Sequence, residues 1–385
     1  MHTMTHTPED ARFMALALRL AELGMNTTHP NPRVGCVLVR DGVLVGEGWH
    51  ERVGGPHAEV DALRKAGAAA RGATVYVSLE PCCHHGKTPP CVEGLIKAGV
   101  SRVVAAMTDP NPLVSGKGLA MLAAAGVETS VGLLETESKA LNPGFCKRMA
   151  TGLPWVFSKL AMSLDGRTAM ASGESRWITG PEARRDVHRL RARSSAILTG
   201  IGTVLSDDPF LTARFASHPN PKGDGENVPG DVIPLGRQPA RIVVDSRFRL
   251  PPSAKLLAQP GRTLLLGLET EAAKAEALRE AGAEIHFLPA GLDGRVDLNA
   301  AMELLGQLQF NEVMVEAGAT LNGELLRDGL VDEYVVYLAP CILGDRGRGL
   351  FHLPGLELMA DRFELALQDV RRVGKDLRLN FKRLT

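Results

Sequence analysis

One histidine, two cysteines and a glutamate stand at spacings that suit metal-assisted attack by water. His57-Ala58-Glu59 comes first, Glu80-Pro81-Cys82 follows, and Cys91 comes after Pro89-Pro90. One imidazole and two thiolates form the donor set zinc takes, and three protein ligands leave a fourth position open. Glu59 then remains free to move protons. Together these groups would activate a water against an amidine-like ring carbon, which is hydrolytic deamination. Side chains two residues apart on a helix point about 200° apart, so His57 and Glu59 share a site only at a helix tip. Cys91 also opens a helix, so two positive helix ends would face the metal and favour thiolate. A closed structural zinc site is the competing reading, because Cys83, His84 and His85 lie close enough in sequence to add a fourth ligand. The three-ligand reading is preferred because it gives Glu59 a role.

These residues need elements to carry them. A helix is expected over 8–23, capped by Thr7 with Asp10 three positions on and stopped by Gly24. A hairpin follows over 34–39 and 43–48, turning at Asp41-Gly42. Pro56 opens a helix that carries His57 and Glu59. Strands are expected at 74–79, 102–107 and 127–131, and helices at 91–98, 118–125 and 135–149. This is a three-layer α/β/α domain, residues 1–150. A boundary falls near Thr151-Gly152-Leu153-Pro154, and residues 151–385 alternate again. Strands are expected at 155–160, 196–199, 241–245, 263–266, 284–288 and 312–316, and helices at 181–193, 271–281, 298–308 and 319–328. Three closing strands at 333–338, 363–370 and 377–382 add antiparallel edges to a parallel sheet. Residues 216–239 read as a long exposed loop. His-Pro-Asn-Pro occurs at 29–32 and 218–221, but the flanks differ and no repeat is inferred.

A chain of 385 residues calls for two cores, and its 44% hydrophobic content supplies them. Lys+Arg and Asp+Glu balance at 44 each, which argues against a nucleic-acid partner but not against a small phosphorylated substrate. Six cysteines in so long a chain are not a disulfide framework. Three of them cluster near histidines, which suits metal binding in a reducing, cytoplasmic compartment. No signal pattern and no membrane-spanning apolar run is visible. Free sheet edges make a homo-oligomer, a dimer or higher, the expected assembly.

The second half carries weaker signals. Gly200-Ile201-Gly202-Thr203 follows an apolar strand and suits either a phosphate-approach turn or a plain structural one. Glu316-Ala317-Gly318-Ala319 is stronger, because a strand ends in an acid and a helix then opens with free N–H groups for a phosphate. Arg191 and Arg214 are candidate phosphate forks, since guanidinium matches phosphate oxygens. Arg191 also fits a solvated face of an arginine-rich helix. Lys159, on the first strand of this half, is a candidate to orient sugar hydroxyls or assist proton transfer.

His57-Ala58-Glu59 with Pro81-Cys82 resembles the cytidine-deaminase-like superfamily. The usual two-residue gap between cysteines is eight here, and that longer loop, with Thr28-His29-Pro30-Asn31-Pro32, resembles the deaminase half of the bifunctional riboflavin-biosynthesis deaminase–reductases. The second half resembles their reductase half, of dihydrofolate-reductase-like α/β fold. The resemblance is carried by Lys159–Gly166, Gly173–Thr179, Gly202–Pro209 and Glu316–Gly323. Cys83 stands where serine is usual, and Ala317-Gly318 where a glycine pair is usual. The resemblance implies two steps. A diaminopyrimidinone with a phosphoribosylamino arm loses its 2-amino group as ammonia, and NADPH then reduces the ribosyl arm to ribityl. It also implies that Asn31, His50, His84 and Lys87 line the pyrimidine pocket. NADPH would meet Ala161, Ser175, Trp177, Thr203, Asp207, Ser246, Gly318, Ala319, Thr320, Leu321, Asn322, Gly323 and Glu324. The second-step substrate would meet Arg191, Leu211, Arg214 and Glu316. A tRNA adenosine deaminase and a zinc-stabilised binding module are the rival readings. Balanced charge and the reductase half oppose the first, and Glu59 opposes the second.

Overall fold

The computed structural model describes residues 6–84, 89–214 and 237–384. The chain forms two compact units, Met1–Gly152 and Leu153–Thr385.

The first unit runs α1 (Pro8–Glu22), β1 (Gly35–Arg40), β2 (Val43–Trp49), α2 (Ala58–Ala66), β3 (Thr74–Val77), α3 (Cys91–Ala98), β4 (Arg102–Ala105), α4 (Lys117–Ala124), β5 (Glu128–Val131), α5 (Glu135–Leu141) and α6 (Pro143–Thr151). Its sheet has the order β2-β1-β3-β4-β5. β1 pairs antiparallel with β2 and β3, and β3-β4-β5 are parallel. Alternate residues of β1 face opposite layers. Cys36 and Leu38 pack with Ala58, Ala62, Val92 and Leu95, whereas Val37 and Val39 pack with Phe13, Met14 and Ala17 of α1. Each of the valine, leucine, phenylalanine and methionine side chains among these contributes roughly 1.5–3 kcal/mol by leaving water.

Close approach fixes α2 on the sheet. A Cβ at Gly46 would lie 2.4 Å from the Ala62 carbonyl, and one at Gly48 would lie 2.5 Å from that of Ala58. Glycines beneath an alanine stripe therefore let the helix rest on β2. The stretch expected as one helix over 135–149 is two, because Pro143 cannot continue a helix but suits the first position of the next. Asn142 at the break holds Arg33 at both backbone groups, accepting from its N–H at 2.8 Å and donating to its carbonyl at 2.9 Å.

The second unit runs β6 (Trp155–Ser163), β7 (Arg167–Ala169), α7 (Pro181–Arg193), β8 (Ala196–Gly200), α8 (Ile201–Asp207), β9 (Ala240–Val244), β10 (Thr263–Leu268), α9 (Ala275–Glu280), β11 (Glu284–Leu288), α10 (Leu298–Gln307), β12 (Glu312–Val315), α11 (Ala319–Arg327), β13 (Glu333–Ala339), β14 (Arg348–Gly349), β15 (Leu365–Val373) and β16 (Asp376–Arg383). Its main sheet has nine strands in the order β11-β10-β9-β8-β12-β6-β13-β16-β15. The strands from β11 to β13 are parallel, and β16 and β15 add antiparallel edges. α10 and α11 cover one face through Leu298, Met302, Leu305 and Leu325. α7 covers the other through Val187 and Leu190, beside a cluster from α8 and α9.

Two elements here depart from the sequence expectation. Residues 201–207 form a helix rather than only a turn, and the expected helix over 271–281 begins as a 3-10 segment, Glu269–Lys274. Most of the expected loop at 216–239 lies outside the described residues. Among the described residues no helix is long and apolar enough to cross a membrane.

Candidate functional site

In the first unit, His57 is the N-cap of α2 rather than a residue within it, with φ −73° and ψ 160°. That backbone turns its ring toward Cys91, the first residue of α3. His57 Nδ1 lies 3.3 Å from Cys91 Sγ and 3.5 Å from Cys82 Sγ. One donor atom from each of the three residues falls within a 4.8 Å set, so the separation along the chain is closed by β3 and the two helix starts. The Cys91 N–H points at Cys82 Sγ at 3.3 Å.

The electrostatics suit a cation. Hydrogen bonds from Cys91 and His57 bring the Cys82 thiol down to about 4 despite its burial, while the same contact and burial push Cys91 up. A bound metal would hold both sulfurs as thiolates. Contact with Cys82 raises His57. Glu59 is 4% exposed, and burial, reinforced by the Cys82 charge, raises its carboxyl to about 7. A buried acid poised near neutral pH beside soft donors can carry protons in either direction.

The donor set fits zinc with an open position. Among the described residues the metal-capable group contains three members. Cys83 turns its Sγ toward the Leu113 carbonyl at 3.9 Å, and His84 is exposed and outside the group. His85 and Lys87 lie outside the described residues.

Asn31 and His50 stand beside the cluster. The His50 ring meets the His57 ring edge-on at 5.6 Å. His50 Nδ1 lies 2.9 Å from the Pro56 carbonyl, and Nε2 lies 3.0 Å from Asn31 Nδ2.

Glu80 was left without a role by sequence reasoning. Buried, it accepts four backbone N–H groups, from Asp109 and Gly116 on one oxygen and from Gly118 and Leu119 on the other, at 2.8–3.2 Å. It thereby ties the residues preceding Cys82 to the start of α4. Its place in Glu-Pro-Cys was the available signal, but its partners lie in a segment that only folding brings near.

In the second unit, a cavity of about 1510 Å³ opens where the parallel strands end, the place where such sheets bind ligands. Lys159, Ala161, Ser175, Trp177, Arg191, Thr203, Asp207, Leu211, Arg214, Ser246, Glu316, Gly318, Ala319, Thr320, Leu321 and Glu324 line it. Asn322 and Gly323 lie beneath the lining. Asn322 donates to the Ala317 and Gly318 carbonyls at 2.8 and 3.2 Å and accepts from Ser158 at 2.6 Å. A Cβ at Gly323 would meet the His352 carbonyl at 2.1 Å. These two residues hold the α11 turn rather than face the cavity.

Arg191 is engaged in a fork, but with a carboxylate. Its Nε and Nη2 donate to the two Glu316 oxygens at 2.6 and 2.9 Å, and Lys159 Nζ lies 3.7 Å from the same carboxylate. Burial alone would raise Glu316, but Arg191 and Lys159 hold it down to about 2. Burial lowers Lys159, and burial with Arg191 and Arg214 lowers His188 to about 3. The phosphate-fork expectation for Arg191 is corrected accordingly, because its bidentate face is filled by Glu316.

The lining as a whole is basic, with ten Lys/Arg against five Asp/Glu, although the chain is neutral. At the end of β9, Asp245 is fully buried and accepts the Leu250 N–H at 2.8 Å. Ser246, Arg247 and Arg249 are left on the cavity.

A three-donor metal cluster with a buried acid in one α/β/α unit, and a basic cavity at the strand ends of another, define a two-site enzyme that pairs a metal-hydrolase centre with a site for an anionic ligand. Residues 7–107 match the cytidine and deoxycytidylate deaminase zinc-binding region, and residues 154–379 match the RibD C-terminal domain. The riboflavin biosynthesis protein RibD of Escherichia coli is 51% identical over 375 residues, covering 97% of this chain and 99% of that protein. A structure of Acinetobacter baumannii RibD (form 1) superposes with a TM-score of 0.86 at 44% identity, covering 98% of this chain and 99% of that one. A Thermotoga maritima diaminohydroxyphosphoribosylaminopyrimidine deaminase/5-amino-6-(5-phosphoribosylamino)uracil reductase gives 0.84 at 31%, with the same coverage. The chain belongs to the RibD family, the bifunctional deaminases and reductases of riboflavin biosynthesis.

Proposed function

We propose that the unit Met1–Gly152 removes the 2-amino group of 2,5-diamino-6-(5-phosphoribosylamino)pyrimidin-4-one. The unit Leu153–Thr385 would then reduce the ribosyl arm with NADPH to give 5-amino-6-(5-phosphoribitylamino)uracil. The observation that carries the first step is the three-donor group His57, Cys82 and Cys91 beside a buried Glu59. Zinc held there supplies an acidified water, with a pKa of about 7. Glu59 takes a proton from the attacking water and passes it to the pyrimidine as ammonia leaves, so water is consumed and ammonia released.

For the second step, NADPH supplies the hydride. The start of α11 at Gly318-Ala319-Thr320 offers free N–H groups to its phosphates, with Ala161, Ser175, Trp177, Thr203, Asp207 and Ser246 on the same cavity. The burial of Asp245 favours NADPH over NADH. The acid at the end of β9 is turned inward, away from a ribose diol, and Arg247 and Arg249 line the cavity instead. Glu316 pairs with Lys159 at 3.7 Å beside the cavity, and this lysine would pass the proton that accompanies the hydride. Leu211 and Arg214 lie on the substrate side of the same cavity. Six free thiols suit a reducing compartment such as the cytoplasm. The edges β11 and β15 suit a homo-oligomer.

Glu59→Gln is the test of the first site. Ammonia release should fall by about 10²–10⁴-fold, with bound zinc retained and reduction of already deaminated substrate unchanged. Ammonia release at the wild-type rate would remove Glu59 from the mechanism.

A further inference from the structure

Leu211–Arg214 belongs to no helix or strand, yet Leu211, Thr212 and Ala213 are buried. Leu211 and Arg214 line the cavity of the second unit. Buried backbone outside a ladder must find its hydrogen bonds elsewhere, and here side chains supply them. Arg191 Nη1 donates to the Thr212 carbonyl at 3.0 Å. The Gln238 amide meets both backbone groups of Ala213, accepting from its N–H at 2.9 Å and donating to its carbonyl at 3.0 Å. The Arg214 N–H donates to His188 Nδ1 at 3.2 Å. Four backbone groups are thus held by three side chains. His188 and Arg191 share one face of α7, and Gln238 stands just ahead of β9. Leu211 itself sits at φ +50°, in the left-handed region that a leucine avoids. Such a conformation persists only where its surroundings over-determine it, and ligand clamps are where it gathers.

We infer that His188, Arg191 and Gln238 are positioning residues that clamp Leu211–Arg214 into a preformed wall of this cavity, with His188 serving as a neutral acceptor at Nδ1. This rests on the reductase reading of the second unit, under which Leu211 and Arg214 face the substrate rather than NADPH. A backbone N–H can only donate, so His188 Nδ1 carries the lone pair and Nε2 the hydrogen. Burial, Arg191 and Arg214 all oppose a second proton on the ring, against Glu316 and the Thr212 carbonyl. A protonated ring would set a donor against the Arg214 N–H and open the wall there. Glu316 holds Arg191 by its fork, so the end of β12 steadies Arg191 and Arg191 steadies the wall. A wall ordered before the substrate arrives leaves little to order on binding. Its loss weakens the hold on substrate and leaves cofactor binding in place.

Two measurements on the zinc-loaded full chain test this. Nitrogen NMR of the ¹⁵N-histidine-labelled protein, with His188 assigned by its loss in His188→Asn, should show that ring protonated at Nε2 only. Protonation at Nδ1 would overturn the inference. NADPH oxidation is then followed with 5-amino-6-(5-phosphoribosylamino)uracil supplied. His188→Leu, which has no acceptor, should raise the KM for that substrate about tenfold, with NADPH affinity and ammonia release unchanged. His188→Asn, whose side-chain oxygen can stand where Nδ1 stands, should recover most of that loss. Gln238→Glu keeps the acceptor for the Ala213 N–H but sets a second acceptor against its carbonyl. It should raise the same KM, and it serves as the test if His188→Leu does not fold. An unchanged KM, His188→Asn no better than His188→Leu, or NADPH affinity falling in step with substrate affinity would each overturn the inference. Failure of the wild type to oxidise NADPH with this substrate would instead sink the reductase reading, while the NMR result still decides the His188 contact.

Discussion

Glu316 holds two cations at the end of β12, Arg191 by a fork and Lys159 at 3.7 Å. Buried ion pairs are costly to break one-sidedly, because the remaining partner is stranded. Glu316→Gln should therefore destabilise the second unit by roughly 3 kcal/mol and weaken its activity. The pH dependence follows from the depressed carboxyl, about 2 against an ordinary 4.5. Above 4.5 both folded and unfolded chains carry the charge, and the full stabilisation is present. As pH falls toward 2, the unfolded chain takes up its proton while the folded chain resists, so the contribution is progressively lost. Chemical denaturation of wild type and Glu316→Gln should converge over that window, and parallel curves would show that the charge does not carry the effect. At this scale the sequence exposed Glu316 through its place at a strand end. Arg191 was ambiguous between a phosphate fork and a solvated face. The structure shows neither, because its partner stands 125 residues further along the chain.

Helix α2 is held to the sheet by small residues, Gly46 and Gly48 against Ala58 and Ala62. Its N-terminus carries His57, so the seating of the helix is also the seating of a candidate metal donor. Gly48→Ala would place a methyl 2.5 Å from the Ala58 carbonyl. The helix must lift, and the expected cost is roughly 1–3 kcal/mol of stability. A lower zinc affinity should accompany it, measured by competition with a chelator. Loss of stability with undiminished zinc affinity would separate the helix position from the site. Most elements were legible from period and punctuation, including α1 with its Thr7–Asp10 capping box. The departures have different causes. Pro143 splits one helical stretch into α5 and α6, and α8 is a short helix whose Ile201 and Val204 find their apolar cluster only in the folded unit.

Across the whole molecule, the two sites use different chemistry in separate units. Stripping metal with a chelator should abolish ammonia release yet leave NADPH oxidation intact when the deaminated intermediate is supplied. Re-addition of zinc should restore the first activity. Loss of both activities on chelation would mean that the metal supports the entire fold rather than one site. Overall composition hid the second site, since a neutral chain gathers ten cations and five acids around one cavity.

The sequence by itself determined which atoms are available and the class of chemistry they suit. One imidazole, two thiols and a nearby acid are a statement about donor softness and proton transfer, and neither depends on coordinates. The alternation of apolar runs with helical periods likewise determined two α/β units, because burial requires it. Tertiary structure alone decided what each group faces. It made His57 a cap rather than a helix residue, filled the Arg191 fork with Glu316, turned Asp245 inward, and brought Asn31 against His50. Charge, burial and hydrogen-bond direction act over a few ångströms, between residues whose distance along the chain carries no record of that proximity.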